Sequence, residues 1–163
     1  MKLNIRQIEG LLLNQVIRLH NNIKLVYKAE LYNMYSKTTN KINITVRPFY
    51  LEEQSDPDDN HYVWAYQVTI DNKGGETVQL KKRSWTIVDS SGNSREVTGE
   101  GVVGEQPILK PGQKFEYTSG APLNTPSGFM SGHYKMIGKN GNYFDVEIPL
   151  FSLDSPYESK RVH

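Results

Sequence analysis

The sequence contains no cysteine, no excess of charge of either sign and no long hydrophobic run. Without cysteine there is no disulfide framework, thiolate nucleophile or cysteine zinc site, which agrees with a reducing cytoplasm. The 19 basic and 18 acidic residues leave a formal charge of +1, so nothing indicates a nucleic-acid surface or a polybasic membrane patch. No apolar run approaches the roughly 18 residues that span a bilayer, and this argues against a membrane transporter. We therefore expect a cytoplasmic protein.

Residues 1–33 differ in pattern from the rest of the chain. Apolar residues from Ile5 to Val26 recur every three or four positions, as in an amphipathic helix. Apart from Gly10, every glycine and proline lies between Pro48 and Pro156. We expect a helical extension over residues 1–40, an all-β domain over 41–157 and a polar tail over 158–163. Met34 is an alternative start, in which case residues 1–33 would carry no function.

Beyond residue 40, apolar and polar residues alternate in about seven short segments that are separated by turn residues. No helical pattern lies between them, so the sequence predicts an antiparallel β-sandwich of immunoglobulin or fibronectin type III character. The alternation slips within Val78 to Asp89, which indicates a β-bulge. The pattern predicts a long loop over Thr118 to Gly128, and it places Leu150 in the core.

Three glycines, Gly99, Gly101 and Gly104, have the spacing of a dinucleotide-binding fingerprint. That fingerprint requires a helix to begin at its end, so that the pyrophosphate lies at the helix N-terminus. Pro107 and Pro111 follow instead and prevent such a helix. We expect a glycine-rich connection between strands. A phosphate-binding nest of successive N–H groups from Gly99 to Gly104 remains the alternative.

The sequence of the predicted β domain contains no motif that is typical of a catalytic site. Nucleophilic catalysis needs a base beside a serine or threonine, and neither His61 nor His133 is accompanied by a G-x-S-x-G elbow. The carboxylates of Asp56, Asp58 and Asp59 and the imidazole of His61 could supply metal ligands, but their spacing matches no EF-hand. Trp85 is expected to pack in the core. We therefore expect no enzymatic activity, no metal and no cofactor.

Several short motifs between residues 41 and 157 together resemble the ApaG family. They are Glu53-Gln54-Ser55, Tyr62–Tyr66, Val78–Leu80, Arg83–Trp85, Gly99–Pro107, Tyr117–Gly120, Thr125-Pro126 and Ile148-Pro149. The resemblance implies a fibronectin III-like sandwich and a small bacterial cytosolic protein. The helical extension departs from the family pattern.

The resemblance also implies a role in protein binding. Related domains occur in an F-box ubiquitin-ligase subunit and in a DNA-polymerase-delta-interacting protein. The family is named for its genetic neighbourhood with a diadenosine tetraphosphate hydrolase, is loosely associated with cobalt and magnesium resistance, and has no established catalytic residues. Any link to cobalt would then be indirect.

Strand alternation does not account for several polar and glycine-rich segments, and these form the candidate surface for a partner protein. Its residues are Glu53, Gln54, Gly104, Glu105, Gln106, Thr118, Ser119, Thr125 and Pro126. A nucleotide or pyrophosphate bound at the glycines is the alternative ligand.

Overall fold

The computed structural model describes residues 34–157, which form nine β-strands and two single-turn 3-10 helices. The helices, Glu52–Gln54 and Pro57–Asp59, lie between the second and third strands. The strands are β1 Tyr35–Thr39, β2 Ile42–Tyr50, β3 Tyr62–Asn72, β4 Val78–Asp89, β5 Ser94–Glu100, β6 Ile108–Leu109, β7 Lys114–Leu123, β8 Ser127–Gly138 and β9 Tyr143–Asp154. The predicted helix over residues 1–33 and the predicted tail over 158–163 lie outside the described residues.

The strands form two antiparallel sheets that face each other across one core. The first sheet has the order β1-β2-β3-β7 and the second the order β5-β4-β8-β9, with β6 paired to the start of β4. Buried side chains from both sheets make a single cluster, which confirms the predicted all-β sandwich. The predicted boundary at residue 40 was wrong, because β1 already belongs to the first sheet. Its sequence is polar since it is an edge strand with one partner.

An aromatic cluster fills the centre of the core. The ring of Trp85 lies 5.2 Å from that of Tyr66 and 6.0 Å from that of Phe151, measured between centroids. The ring of Tyr134 meets Trp85 edge-on at 6.4 Å. Such pairs add about 0.5–1.5 kcal/mol each beyond the burial of their area. Trp85 is thus a core residue, as predicted.

The predicted bulge in β4 is present at Lys81. Leu80 lies opposite Met136 of β8 and Lys82 lies opposite Lys135, so one residue of β4 has no counterpart. Because of the extra residue, every side chain that follows it in β4 lies on the opposite face of the sheet from the one that unbroken alternation would give. As a result Leu80 on one side of the bulge and Trp85 on the other both point into the core.

Two predictions in the C-terminal half were wrong. Thr118 to Gly128 is not a loop, because β7 continues to Leu123 and β8 begins at Ser127. Leu150 is 64% exposed, because the register between β8 and β9 shifts near Met130 and brings Phe151 and Leu153 into the core instead.

A hydrogen-bonded pair of tyrosines joins the two sheets inside the core. The hydroxyl groups of Tyr117 in β7 and Tyr134 in β8 are bonded to each other, and both side chains are buried. Burial raises the pKa of both phenols well above the ordinary value, so both remain neutral at physiological pH.

We expect Tyr117→Phe and Tyr134→Phe each to lower the free energy of unfolding by ~1–3 kcal/mol, because each leaves a buried hydroxyl unpaired. The double variant should lose less than the sum of the single variants, since it leaves no unpaired hydroxyl. Chemical denaturation of the unsubstituted protein, the two single variants and the double variant gives the four unfolding free energies of this double-mutant cycle. Strictly additive losses would show that the two hydroxyls are not coupled.

Candidate functional site

Two of the three spaced glycines, Gly101 and Gly104, belong to a tight hairpin between β5 and β6. Val102 and Glu105 exchange two backbone hydrogen bonds of 2.8 and 2.9 Å. The residues between them, Val103 and Gly104, have φ angles of 44° and 80°, both positive as in a type I′ turn. Gly101 is required for a different reason, because a Cβ there would lie 2.2 Å from the carbonyl oxygen of Glu105. We call residues 101–106 the glycine hairpin.

The glycine hairpin is anchored to the bulge of β4. The N–H of Gly101 and the side-chain amide of Gln106 both donate to the carbonyl oxygen of Lys81, at 2.8 and 3.0 Å. The Lys81 ammonium group donates in return to Oε1 of Gln106 at 3.1 Å. Gln106 is therefore a structural residue, whereas the neighbouring Glu105 is exposed.

This geometry does not favour the predicted phosphate nest. A nest needs successive N–H groups that are free to face an anion. The N–H groups of Gly101 and Val102 already donate to the carbonyl oxygens of Lys81 and Glu105. Gly99 lies within β5, where its Cα faces the guanidinium group of Arg83.

The two long sides of the sandwich differ in how their strand edges are protected. On one side β1 and β9 shield each other. There the hydroxyl groups of Tyr35 and Ser152 are bonded at 2.8 Å, and the N–H of Glu147 donates to the hydroxyl of Thr39 at 3.3 Å. On the other side β5 and β7 each pair with one strand of their own sheet among residues 34–157. We call this second side, with β5, β7 and the groove between them, the open side.

The direction of the backbone groups along β7 follows from its pairing with β3. Val63 lies opposite Pro122, but its N–H donates to the hydroxyl of Ser55 at 2.9 Å and its carbonyl accepts from the N–H of Leu51 at 2.8 Å. Both groups of Val63 therefore point away from β7. The pair is of the non-hydrogen-bonded kind, and the carbonyl of Pro122 points out of the sheet edge.

Backbone groups alternate in direction along a strand, so Thr118 and Gly120 also direct their N–H and C=O groups outward. Pro122 fits the same rule, because proline lacks an N–H and is confined largely to sheet edges. The edge of β7 that faces away from β3 thus carries the backbone groups of Thr118 and Gly120 and the carbonyl of Pro122. Thr118 and Pro122 are half-buried, and Gly120 is buried in the free protein.

Two arginines of the second sheet line the groove beside this edge. Arg95 of β5 donates to the carbonyl oxygen of Pro122 at 2.6 Å. Arg83 of β4 donates to the carbonyl oxygens of Glu100 and Gly101 at 3.0 and 2.8 Å. Neither arginine forms an ion pair with a carboxylate in the described part of the chain.

The groove of the open side is shallow. Its floor includes Trp85, Ile87 and Met130, and Ser119 to Pro122 of β7 form one wall. The enclosed space is ≈ 20 Å³, which is enough for about one water molecule. The groove therefore offers a strand edge and two guanidinium groups, rather than a pocket for a small molecule.

Four of the residues predicted to bind a partner lie at one end of the sandwich. Glu53 and Gln54 belong to the first 3-10 helix, and Thr125 and Pro126 join β7 to β8. The pairing of Tyr62 with Leu123 brings these two connections to the same end. Pro126 accepts a backbone hydrogen bond from Ser155.

The other predicted residues lie elsewhere. Glu105 and Gln106 belong to the glycine hairpin, and Thr118 contributes to the free edge of β7. The side chain of Ser119 is buried and is not a surface residue. The predicted surface is therefore not one patch.

Sequence reasoning missed Arg83, Arg95 and Val103. A signal for Arg83 was present, because it shares the facing of Trp85 beyond the bulge. Arg95 lies opposite Ile87 in the register of β5 with β4, but no pattern in the polar β5 reveals this.

Residues 52–138 match the family model of the ApaG domain. This chain belongs to the ApaG family. The finding confirms the resemblance of the motifs. The matched ApaG region contains the bulge of β4, the glycine hairpin and the open side.

Individual relatives extend the similarity beyond that region. Protein ApaG of Paramagnetospirillum magneticum is 59% identical over 130 residues, which are 80% of this chain and 100% of that protein. Protein ApaG of Rhizobium etli is 58% identical over 123 residues, covering 76% of this chain and 95% of that protein. The crystal structure of a Bordetella pertussis protein described as ApaA has a TM-score of 0.69 and 46% identity, covering 76% of this chain and 98% of that one.

Two further features are absent from the part of the ApaG chain that the structure describes. Within residues 34–157 no helix is long and apolar enough to cross a membrane. Over the same residues no group of three histidine, aspartate or glutamate side chains is arranged to hold a metal ion.

We expect the full chain to give no saturable heat when titrated with ATP, diadenosine tetraphosphate or pyrophosphate at millimolar concentrations, with or without Mg²⁺. The reason is that the N–H groups of Gly101 and Val102 already have acceptors. Isothermal titration calorimetry makes the measurement. Saturable heat that is lost in Gly104→Ala would revive the phosphate alternative.

We expect Val103→Asn to raise the free energy of unfolding by about 1 kcal/mol, because a β-branched residue at positive φ is strained and asparagine tolerates that conformation. Ile108→Asn is the matched control. Ile108 is also an exposed apolar residue, but its φ is not positive. Thermal and chemical denaturation compare the variants, and an equal effect of both substitutions would rule out strain as the cause.

Proposed function

We propose that this chain is a non-catalytic protein-binding module that contacts its partner through the open side and the glycine hairpin. The observation that carries the proposal is the conformation of Val103. This β-branched residue is 42% exposed and is held at a φ of 44° at the tip of the hairpin. Strained backbone positions of this kind are concentrated at functional sites.

The turn itself does not require valine. Asparagine, aspartate or glycine would form the same type I′ turn without strain. What valine adds is an apolar side chain that projects into solvent. Ile108, 62% exposed and just beyond the hairpin, adds a second, and the exposed Glu105 lies between them. Two apolar groups and a carboxylate on a fixed turn suit contact with another protein.

The anchoring of the glycine hairpin supports the same proposal. Lys81 and Gln106 hold its base through three hydrogen bonds, so its tip is oriented before a partner arrives. A contact surface that is already ordered loses less conformational entropy on binding.

The arrangement around His133 supports the non-catalytic part of the proposal. The cross-strand neighbours of His133 are Ser84 and Glu147, which are residue types of a catalytic triad. However, no hydrogen bond joins His133 to either neighbour, and Glu147 forms an ion pair with Lys37. Activation of a serine needs a base within hydrogen-bonding reach that is itself oriented by a third group.

The finer expectations from the sequence also belong to the proposal. The order β5-β4-β8-β9 corresponds to the C′-C-F-G order of an immunoglobulin-type sheet, which supports an immunoglobulin or fibronectin III-like sandwich. We propose a cytoplasmic protein whose association with cobalt and magnesium resistance is indirect.

A photo-crosslinking residue, p-benzoylphenylalanine, tests the proposal when it replaces Val103 in the full chain expressed in its native host. We expect discrete covalent adducts with another protein after illumination. The matched control places the same residue at Asp58, which is exposed on the second 3-10 helix away from the glycine hairpin. Adducts of the same pattern and yield at both positions would contradict a contact surface at the glycine hairpin.

A further inference from the structure

The free edge of β7 presents backbone groups that have no strand partner. Over residues 34–157 β7 pairs with β3 and with no other strand. The outward N–H and C=O groups of Thr118 and Gly120, followed by the carbonyl of Pro122, form a row along this edge. A row of backbone groups without a strand partner is a template for the addition of another strand.

The charge beside this row is positive and unneutralised. Arg83 and Arg95 face the edge from the second sheet, and neither has a carboxylate partner in the described part of the chain. Four lysines of the same part, in contrast, are each paired with a carboxylate. The arginines therefore remain available to a carboxylate that comes from another molecule.

We propose that the open side binds an extended acidic segment of a partner protein, which adds to β7 as the fifth strand of the first sheet. This inference rests on the proposed function and specifies the chemistry of the partner. The backbone groups of Thr118 and Gly120 supply hydrogen bonds to the added strand. Arg95 and Arg83 select for a carboxylate on the side that faces the groove.

Arg95 explains why the segment must be acidic. In the free protein its guanidinium group donates to the carbonyl oxygen of Pro122 at 2.6 Å and so covers the edge. An N–H of the added strand takes over that carbonyl and displaces the guanidinium. A carboxylate restores a charge-assisted hydrogen bond to Arg95, whereas a neutral segment leaves Arg95 without its acceptor.

The chain itself does not supply a suitable strand. In β7 the acidic side chain is Glu116, and it already accepts a hydrogen bond from the hydroxyl of Thr69 at 3.0 Å. Pairing β7 with β7 of a second copy would also bring four arginines to one groove. Charge complementarity thus favours an acidic partner over self-association.

The test starts with the full chain and a displayed library of random linear peptides. We expect selected peptides to be rich in aspartate and glutamate. The strongest is resynthesised with a single N-methyl group at each amide in turn. Because N–H groups alternate in direction along a strand, methylation at every second position should weaken binding by about tenfold or more, and methylation between those positions should have little effect. Peptides without acidic residues, or uniform sensitivity to methylation, would overturn the inference.

Protein variants locate the contact. Arg95→Gln should weaken binding of the acidic peptide by about tenfold. Arg47→Gln is the matched control, since Arg47 is an exposed arginine of β2 that also lacks a carboxylate partner in the described residues. An equal loss of peptide affinity in both variants would mean that binding depends on the net charge of the protein and not on contacts at the open side.

Amide hydrogen exchange provides a readout that needs no substitution. The N–H group of Thr118, which is half-buried, should exchange quickly in the free protein and slowly with the peptide bound. The N–H groups of Tyr117 and Ala121, which point towards β3, should be slow in both states. Unchanged exchange at Thr118 on binding would overturn strand addition at β7.

The outcomes separate this inference from the proposed function. Adducts at Val103 without any acidic peptide bound at β7 would leave the proposed function standing and overturn the inference. A dimer that protects Thr118, with twice the mass by light scattering, would assign the edge to a second copy and also overturn it. Alternating methylation effects together with the loss in Arg95→Gln would support it.

Discussion

Lys81 is the extra residue of β4, and its hydrogen bonds hold it in place. The arrangement of the open side depends on this residue. Its carbonyl accepts from Gly101 and Gln106, and its ammonium group binds Gln106 in return. Beyond the bulge the facing of β4 reverses, which brings Trp85 into the core and Arg83 to the groove. A single inserted residue thus couples the aromatic core, the glycine hairpin and the charge of the open side.

Alternation in a sequence predicts a strand where one face is buried and the other is solvated. The second half of β3 has that character, and the strand could be predicted nearly to its ends. β1 and β5 could not, because edge strands carry polar residues on both faces. The second half of β7 was mistaken for a loop for a related reason: its Gly120 and Pro122 are typical of turns, but they also suit a strand with a free edge.

The candidate site could be predicted only in part. The prolines that follow Gly104 correctly excluded a helix, and the bulge was visible as a break in alternation. The structural role of Gln106 could not be seen in the sequence, because its hydrogen bonds reach Lys81, 25 residues earlier in the chain. The strain at Val103 was also hidden, since the sign of a φ angle depends on the whole turn. Contacts between distant segments, and not local propensity, decide these points.

The difference between the two sides of the sandwich also bears on stoichiometry. β1 and β9 cover each other, so within the described residues 34–157 the edges left for another strand are those of β5 and β7. These two edges border the same groove. Strand addition is then confined to one side of the sandwich, and the side formed by β1 and β9 offers no template for fibres.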